Sequence, residues 1–364
     1  MKVLVAGAGP AGLYFSYLLK RRDPRCEIRI VEQNAPEATF GFGVVFSDRA
    51  LEFLQADDPA TYELITPQLE AWVDIIVVHG GERIVIDGIG FAAIGRLHFL
   101  RLMQQQAASV GVEPEFNAAV GDISGYDLVV AADGANSTVR RGADFGTRIR
   151  HCTNKFAWYG TPKRFDKLTQ TFLENEHGSF NVHHYPHSPG MGTFVVECDA
   201  ATWERARFAT MDETQTKLYL ERVYASVLEG APIVSNKSIW RNFPNVRNER
   251  WYCGNVVLIG DALRTAHFSI GSGTRLAMED AIALNKALAE ESSIEKALAA
   301  FEAARRPIVD KLVAAADASA AWYERFPEHM KLAPRDFAWS YIQRSGRVDP
   351  ARLRKISPKF VDGT

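Results

Sequence analysis

Cysteine is scarce in this 364-residue chain: Cys26, Cys152, Cys198 and Cys253 lie far apart, with no Cys-x-x-Cys pair. That argues against a zinc site and against a disulfide framework, and it fits a reducing compartment, so a cytoplasmic protein is expected. No grouping of His, Cys and carboxylates has ligand spacing, and no metal is expected. No apolar run reaches the length of a transmembrane helix. The N-terminal apolar stretch is short and ends in glycines, as a first strand does and a signal peptide does not. Neither sign of charge dominates: 42 Lys and Arg stand against 44 Asp and Glu, a net charge of -2. Charge alone therefore drives no nucleic-acid or membrane binding. Internal repeats and low-complexity tracts are missing as well. At 47% hydrophobic and 24% charged residues, the composition is that of a globular chain with room for two domains.

What is present begins at once. The run Val3-Leu4-Val5-Ala6 reads as a buried parallel strand, and it enters Gly7-x-Gly9-Pro10-Ala11-Gly12 before a helical pattern over 13–22. Gly7 permits a tight turn, Gly9 lets backbone approach a pyrophosphate, and Gly12 lets helix pack on strand. The N–H groups and positive dipole end of that helix favour phosphate. A second strand, Ile28-Arg29-Ile30-Val31, ends at Glu32-Gln33. The acid stands about 20 residues past the glycines, where a carboxylate accepts from ribose hydroxyls.

Further along, the Gly-rich passage 40–45, containing Gly43, resembles a loop that must approach something flat, and Asp48 is the expected N-cap of the helix after it. Residues 72–78 and 83–86 read as a hairpin around His79-Gly80-Gly81-Glu82. Arg96 opens a helix over 97–103. A buried strand at 127–132 breaks into Asp133-Gly134. Residues 150–245 turn aromatic and antiparallel, with helical interruptions at 202–208 and 212–228 and a last strand expected over 237–243. A third buried strand, 255–260, ends in Gly260-Asp261. A polar loop through His267 reaches Gly271-Ser272-Gly273-Thr274, where a long helix begins. Ser292 to Glu295 reads as a capping box for the next helix, and Pro307 as the start of another. Residues 331–360 carry eight Lys and Arg against two acids, a locally basic stretch.

The expected fold is α/β. A Rossmann-like dinucleotide domain is built discontinuously from residues 1–70, 94–150 and 250–290. An antiparallel-sheet substrate domain, 71–93 and 151–249, is inserted in it, and a C-terminal helical region with a basic tail follows over 291–364.

Three strand-end motifs, Gly7-x-Gly9-x-x-Gly12, Asp133-Gly134 and Gly260-Asp261, occur in order along nearly the whole chain. Together they resemble the single-component FAD-dependent aromatic hydroxylases of the para-hydroxybenzoate hydroxylase type. Within that family, Gly41-Phe-Gly-Val-Val, Trp158-Tyr159-Gly160-Thr161, Phe194 to Cys198 and Gly260 to Gly271 are similar to two subgroups. One hydroxylates aryl-coenzyme A thioesters, such as salicyloyl-CoA or 2-aminobenzoyl-CoA. The other is the violacein-pathway hydroxylase of a tryptophan derivative. The chain stops before the second half that the larger CoA proteins carry, which suits a stand-alone hydroxylase.

The resemblance implies tightly bound FAD, reduced transiently by NADH or NADPH. It also implies hydroxylation of an electron-rich ring by O2 through a flavin C4a-hydroperoxide. Gly7, Gly9, Pro10, Ala11 and Gly12 would hold the pyrophosphate, Glu32 and Gln33 the adenosine ribose, and Arg96 the pyrophosphate and ribityl region. Gly43, Asp133 and Gly134 would line the cleft. Gly260 and Asp261 would meet the ribityl chain, and Gly271, Ser272, Gly273 and Thr274 the flavin pyrimidine. A helix N-terminus there also has an independent rationale, since negative charge develops on the reduced flavin. A base on the substrate would help. His267 is the first candidate, with His183 and Tyr159 behind it, and a structural histidine is the alternative. Arg352 and Arg354 would suit CoA phosphates, the alternative being a solvated basic stretch. The Trp-x-Trp-x-Ile-Pro segment of flavin halogenases is absent. The implied partners are a small aromatic substrate and O2, in a monomer or homodimer.

Overall fold

The computed structural model describes residues 1–47 and 51–363, so the cap expected at Asp48 lies outside the described residues. In chain order the strands are β1 (Lys2–Ala6), β2 (Glu27–Glu32), β3 (Gly43–Ser47), β4 (Glu70–Trp72), β5 (Ile75–His79), β6 (Glu82–Ile86), β7 (Phe91–Gly95), β8 (Glu115–Phe116), β9 (Leu128–Ala131), β10 (Arg148–Thr161), β11 (Thr169–Asn175), β12 (Gly178–Ser188), β13 (Met191–Cys198), β14 (Arg241–Arg247), β15 (Tyr252–Cys253) and β16 (Val256–Leu258).

The near-continuous apolar runs become the central strands of a six-stranded sheet, ordered β15-β16-β9-β1-β2-β8. Strands β16, β9, β1, β2 and β8 are mutually parallel, and helices cover them, as runs apolar on both faces require. Ala6 pairs with Val31 on one side and with Ala131 on the other, and Ala131 pairs with Leu258. The C-terminal ends of four strands therefore stand side by side, where open α/β sheets bind ligands.

The alternating, aromatic-rich segments form a seven-stranded sheet ordered β14-β10-β13-β12-β11-β5-β6. Its two faces differ. One packs on Phe208, Tyr219, Leu220 and Tyr224 from the helical interruptions. The other turns toward the parallel sheet. A small sheet, β3-β7-β4, lies between them.

Several boundaries move. The first helix starts at Pro10, with Gly9 as its N-cap, because proline at the first helical position costs no hydrogen bond. The last strand of the large sheet begins at Arg241, not at 237, since Lys237 has a left-handed φ of 54°. The cap at 292–295 falls one residue later, on Ser293, whose side chain accepts from Lys296 N–H. Pro307 opens no new helix but sits inside a single one, Ile294–Tyr323. Pro307 and Ala303, whose carbonyl loses its partner, are both on the exposed side, so that carbonyl is left open to solvent and not buried. The basic stretch is not a loose tail. Its helices Pro334–Gln343, Pro350–Ile356 and Pro358–Asp362 bury Phe337, Tyr341, Leu353 and Phe360. Asp87 fastens it by accepting from Phe360 N–H at 2.8 Å. No helix among the described residues is long and apolar enough to cross a membrane.

Candidate functional site

Two joined cavities run from the strand ends into the space between the sheets. The outer one, about 630 Å³, follows Gly7 to Pro10, Glu32 to Ala35 and Asp133 to Gly134. The inner one, about 360 Å³, lies between the parallel-sheet edge and the large sheet. Gly9, Pro10, Arg96, Ala132, Gly134 and Thr274 border both.

The glycines earn their places differently. Gly7 has φ +97°, and a Cβ on it would lie 2.5 Å from the Ala132 carbonyl oxygen; one on Gly12 would lie 2.1 Å from the Gly7 carbonyl oxygen. These two are packing constraints of turn and helix. Around Gly9, Gly134 and Gly273 an added Cβ meets nothing within 4 Å, so side chains there would fill the cavity itself. Glu32 ties the turn together, accepting from Ala8 N–H at 3.0 Å and from Asn34 N–H at 2.9 Å. Asp133 does the same for the loop after β9, accepting from Thr138 N–H at 2.7 Å with Oδ2, while its buried Oδ1 has no partner. At the other end, the helix Gly273–Glu290 starts without a side-chain cap, so its first N–H groups face the cavity unspent.

Charge is placed along this path. Asp261 is enclosed by protein yet accessible, because it stands in the cavity wall. That enclosure raises its carboxyl above the usual range, against the pull of Arg264 and Arg96. Arg96 is half-buried beneath the Gly-rich loop, 5.9 Å from the Trp158 ring, and makes no ion pair among the described residues. Burial lowers its guanidinium from the ordinary value, and Asp261 opposes that. An elongated ligand with an anionic group and hydroxyl donors fits such a cradle: open glycines, a helix N-terminus and the Arg96 cation suit the anion, and the orphaned carboxylate oxygen of Asp133 suits a hydroxyl.

The FAD binding domain family matches residues 92–316. Salicyloyl-CoA 5-hydroxylase of Streptomyces sp is 42% identical over 378 aligned residues, covering 100% of this chain and 73% of that protein. The chain belongs to the FAD-dependent aromatic monooxygenases. Two further relatives of the monooxygenase are 3-hydroxy-4-methyl-anthranilyl-[aryl-carrier protein] 5-monooxygenase of Streptosporangium sibiricum, 36% identical over 90% of each chain, and protodeoxyviolaceinate monooxygenase of Chromobacterium violaceum, 34% identical over 96% of each. The fold matches 2-methyl-3-hydroxypyridine-5-carboxylic acid oxygenase with a TM-score of 0.72, at 19% identity over 98% of this chain and 96% of that one. FAD is the cofactor of the monooxygenase.

The inner cavity of the monooxygenase does not gather every residue expected there. Gly43 faces away from it, packed so that a Cβ would lie 2.4 Å from Thr193 Oγ1. The flat object beside the Gly-rich loop is the Trp158 indole, 2.9 Å from the Cβ position of Gly41. Tyr159 points to the opposite face of the large sheet, buried with Phe180 and Phe194, while its neighbour Trp158 lines the cavity. His267 is behind the wall, not in it. It is wedged between Phe243 and Phe268, and its Nδ1 lies 2.8 Å from Ser269 Oγ. Burial pushes its imidazole down to about 4. Arg352 and Arg354 border neither cavity. They lie exposed on the helix Pro350–Ile356.

His183 does line the cavity, but its nitrogens face protein. Gln170 Oε1 accepts from Tyr323 Oη at 3.2 Å and from Asn181 Nδ2 at 3.4 Å, so Gln170 presents its amide Nε2 to His183 Nδ1 at 2.8 Å. That assigns the ring proton to Nε2, which stands 3.7 Å from Glu197 Oε2. Neither of those two atoms has a hydrogen-bond partner. Burial holds His183 down at about 3 and lifts Glu197 to about 7.

Sequence reasoning gave Trp158, Gln170, Phe268 and Arg344 no place in this wall. Strand parity sets Tyr185 on the same face as His183, and both line the cavity. Nothing local marks Arg344 out from the seven other basic residues of its stretch.

Proposed function

We propose that the monooxygenase hydroxylates an electron-rich ring carried on a CoA thioester, of which salicyloyl-CoA is the model substrate, using NADH or NADPH and O2. The observation that carries this reading is the 42% identity, over the full chain, to a salicyloyl-CoA 5-hydroxylase. A relative named for a ring on an aryl-carrier protein supports an acyl-linked substrate. The second reading is hydroxylation of an indole-derived intermediate, supported by the 34% identity to protodeoxyviolaceinate monooxygenase.

Gly7 to Gly12 and Arg96 would hold the FAD pyrophosphate, Glu32 and Gln33 the adenosine ribose, Asp133 and Gly134 the cleft floor, Asp261 the ribityl hydroxyls, and Gly271 to Thr274 the flavin ring edge. Bound and reduced, the cofactor supplies activated O2, one atom going to the ring and the other to water. The protein's part is to orient the ring between Trp158, Tyr185 and Phe268 and to keep water out.

Salicyloyl-CoA and protodeoxyviolaceinate, offered in parallel to purified enzyme with NADH or NADPH, separate the readings through the mass of the product. Product from salicyloyl-CoA alone is expected, and product from the indole alone would reverse the assignment. Arg352→Ala and Arg354→Ala are each expected to raise KM for the CoA thioester about threefold, as loss of an exposed charge contact does. An unchanged KM returns both to the solvated surface. Arg96→Met is expected to weaken FAD retention roughly tenfold or more through loss of a charged contact, read as flavin-to-protein ratio after dialysis. Full retention would remove Arg96 from the cofactor site.

A further inference from the structure

Besides Arg96, a second cation in the inner cavity forms no ion pair among the described residues. Arg344 follows the helix Pro334–Gln343 and reaches into the wall. Its two hydrogen bonds go to carbonyls, Tyr341 O at 2.8 Å and Ser269 O at 2.9 Å, which position the guanidinium without neutralising it. The Tyr341 ring lies 3.9 Å from it and the Tyr323 ring 5.8 Å, while its buried Nε has no partner. Among the described residues it forms no ion pair.

The other cations near the cavity differ. Arg264 is paired with Asp280 at 2.5 Å, and Arg96 has Asp261 beside it. The field of Arg344 reaches the surrounding groups, opposing protonation of both His183 and His267. Neither histidine is placed to take a proton from a ligand. An arginine keeps its charge at any working pH, and three of its five N–H donors are still unspent. A cation in an apolar wall with no acid partner is costly unless the ligand brings the anion.

We propose that Arg344 anchors the substrate through an ionised ring oxygen: it selects aromatic substrates bearing an acidic hydroxyl and holds that hydroxyl as the phenolate. The phenol gives its proton to water, the charge stays on oxygen beside the guanidinium, and the ring gains the electron density that hydroxylation needs. This replaces the general base that the sequence led us to expect. An acyl carbonyl ortho to the phenolate would suit the same guanidinium fork. The choice of a phenolic substrate rests on the function proposed above, whereas the cation in the cavity does not.

The test uses 4-nitrophenol as a coloured probe of the holoenzyme, with the thioester assay run beside it. In the unaltered enzyme the pKa of bound 4-nitrophenol, read from its phenolate absorbance, is expected to fall by about one unit or more from the free value. Arg344→Met should abolish that shift while flavin content and melting temperature stay unchanged, and Arg344→Lys should restore part of it. For salicyloyl-CoA, Arg344→Met should raise KM and move the pH profile of kcat/KM upward. For 2-aminobenzoyl-CoA, whose ring nitrogen does not ionise, KM should change less. A bound pKa that is the same with and without Arg344, or a probe that binds the cavity only as the neutral phenol, overturns the inference. A shifted probe with no turnover of either thioester leaves Arg344 in place and overturns the thioester reading instead.

Discussion

Asp280→Ala is expected to destabilise the protein by about 3–5 kcal/mol, the cost of breaking a buried, hydrogen-bonded ion pair. Asp280 is fully buried. One carboxylate oxygen accepts from Gly260 N–H at 3.0 Å and from Arg264 at 2.5 Å, and the other from Arg264 at 3.0 Å. Arg305 approaches it at 3.4 Å and is held mainly by Glu279 at 2.9 Å. Alanine leaves an uncompensated Arg264, 5% exposed, and a backbone N–H at the start of the Gly260–Asp261 turn with no partner. The loss thus falls on both stability and the turn proposed to meet the flavin. Melting temperature should drop by roughly 5–10 °C for a chain of this size, with a reduced flavin-to-protein ratio. Asp280→Asn keeps an acceptor and should cost less. A melting temperature within about 2 °C of the unaltered protein would rule this network out as a keystone.

The second large effect is acid unfolding. His183 and His184 are held down at about 3, and His187 and His267 at about 4, burial being the first cause in each. All four are 7% exposed or less. A base whose folded value is depressed contributes stability above its unfolded value, near 6.5, and loses it as the pH falls toward the folded value. Glu197 works the other way. Raised to about 7, it keeps a proton in the native state that the unfolded chain releases, so its contribution is complete below the ordinary Glu value and is lost as pH rises through about 7. Between pH 5 and 6 the unfolded chain therefore binds about three more protons than the native one, four from histidines less one at Glu197, a slope of about 4 kcal/mol per pH unit. A folding free energy of about 5–15 kcal/mol is exhausted within a few pH units. Melting temperature measured from pH 8 to pH 4 should hold near neutrality and then fall steeply below about pH 6. His184→Gln, on the face away from the cavity, should flatten that fall. A constant melting temperature down to pH 5 would contradict the assignment of neutral buried histidines.

The strand-end glycines and acids were legible because each answers to its own few residues. A positive φ at Gly7 and a helix packed against Gly12 are local demands, and sequence writes them locally. The cradle proposed for FAD is built on them. Tyr159 was misplaced because strand parity says that Trp158 and Tyr159 face opposite ways but not which face meets the cavity; the order of the seven strands decides that. His267 stands outside the cavity wall because a loop residue beside the start of the helix Gly273–Glu290 can turn inward or outward, and Phe268 took the inward position. Asp280 and Arg344 went unseen because their partners lie 20 and 75 residues away, at Gly260 and Ser269. The break expected at Pro307 was overridden by tertiary packing.

That uninterrupted helix has one more consequence. Phe301, Val309 and Val313 belong to the core of the parallel sheet, whereas Trp322 and Tyr323 belong to the core on the cavity-side face of the large sheet. Thirty residues of helix make a stiff rod about 45 Å long, with each end set in a different hydrophobic cluster. Neither cluster can melt without stripping one end of the rod. The two halves should therefore lose structure as a single cooperative unit, and a segment cut to contain only the large sheet would lack the Trp322–Tyr323 end that completes its own interior.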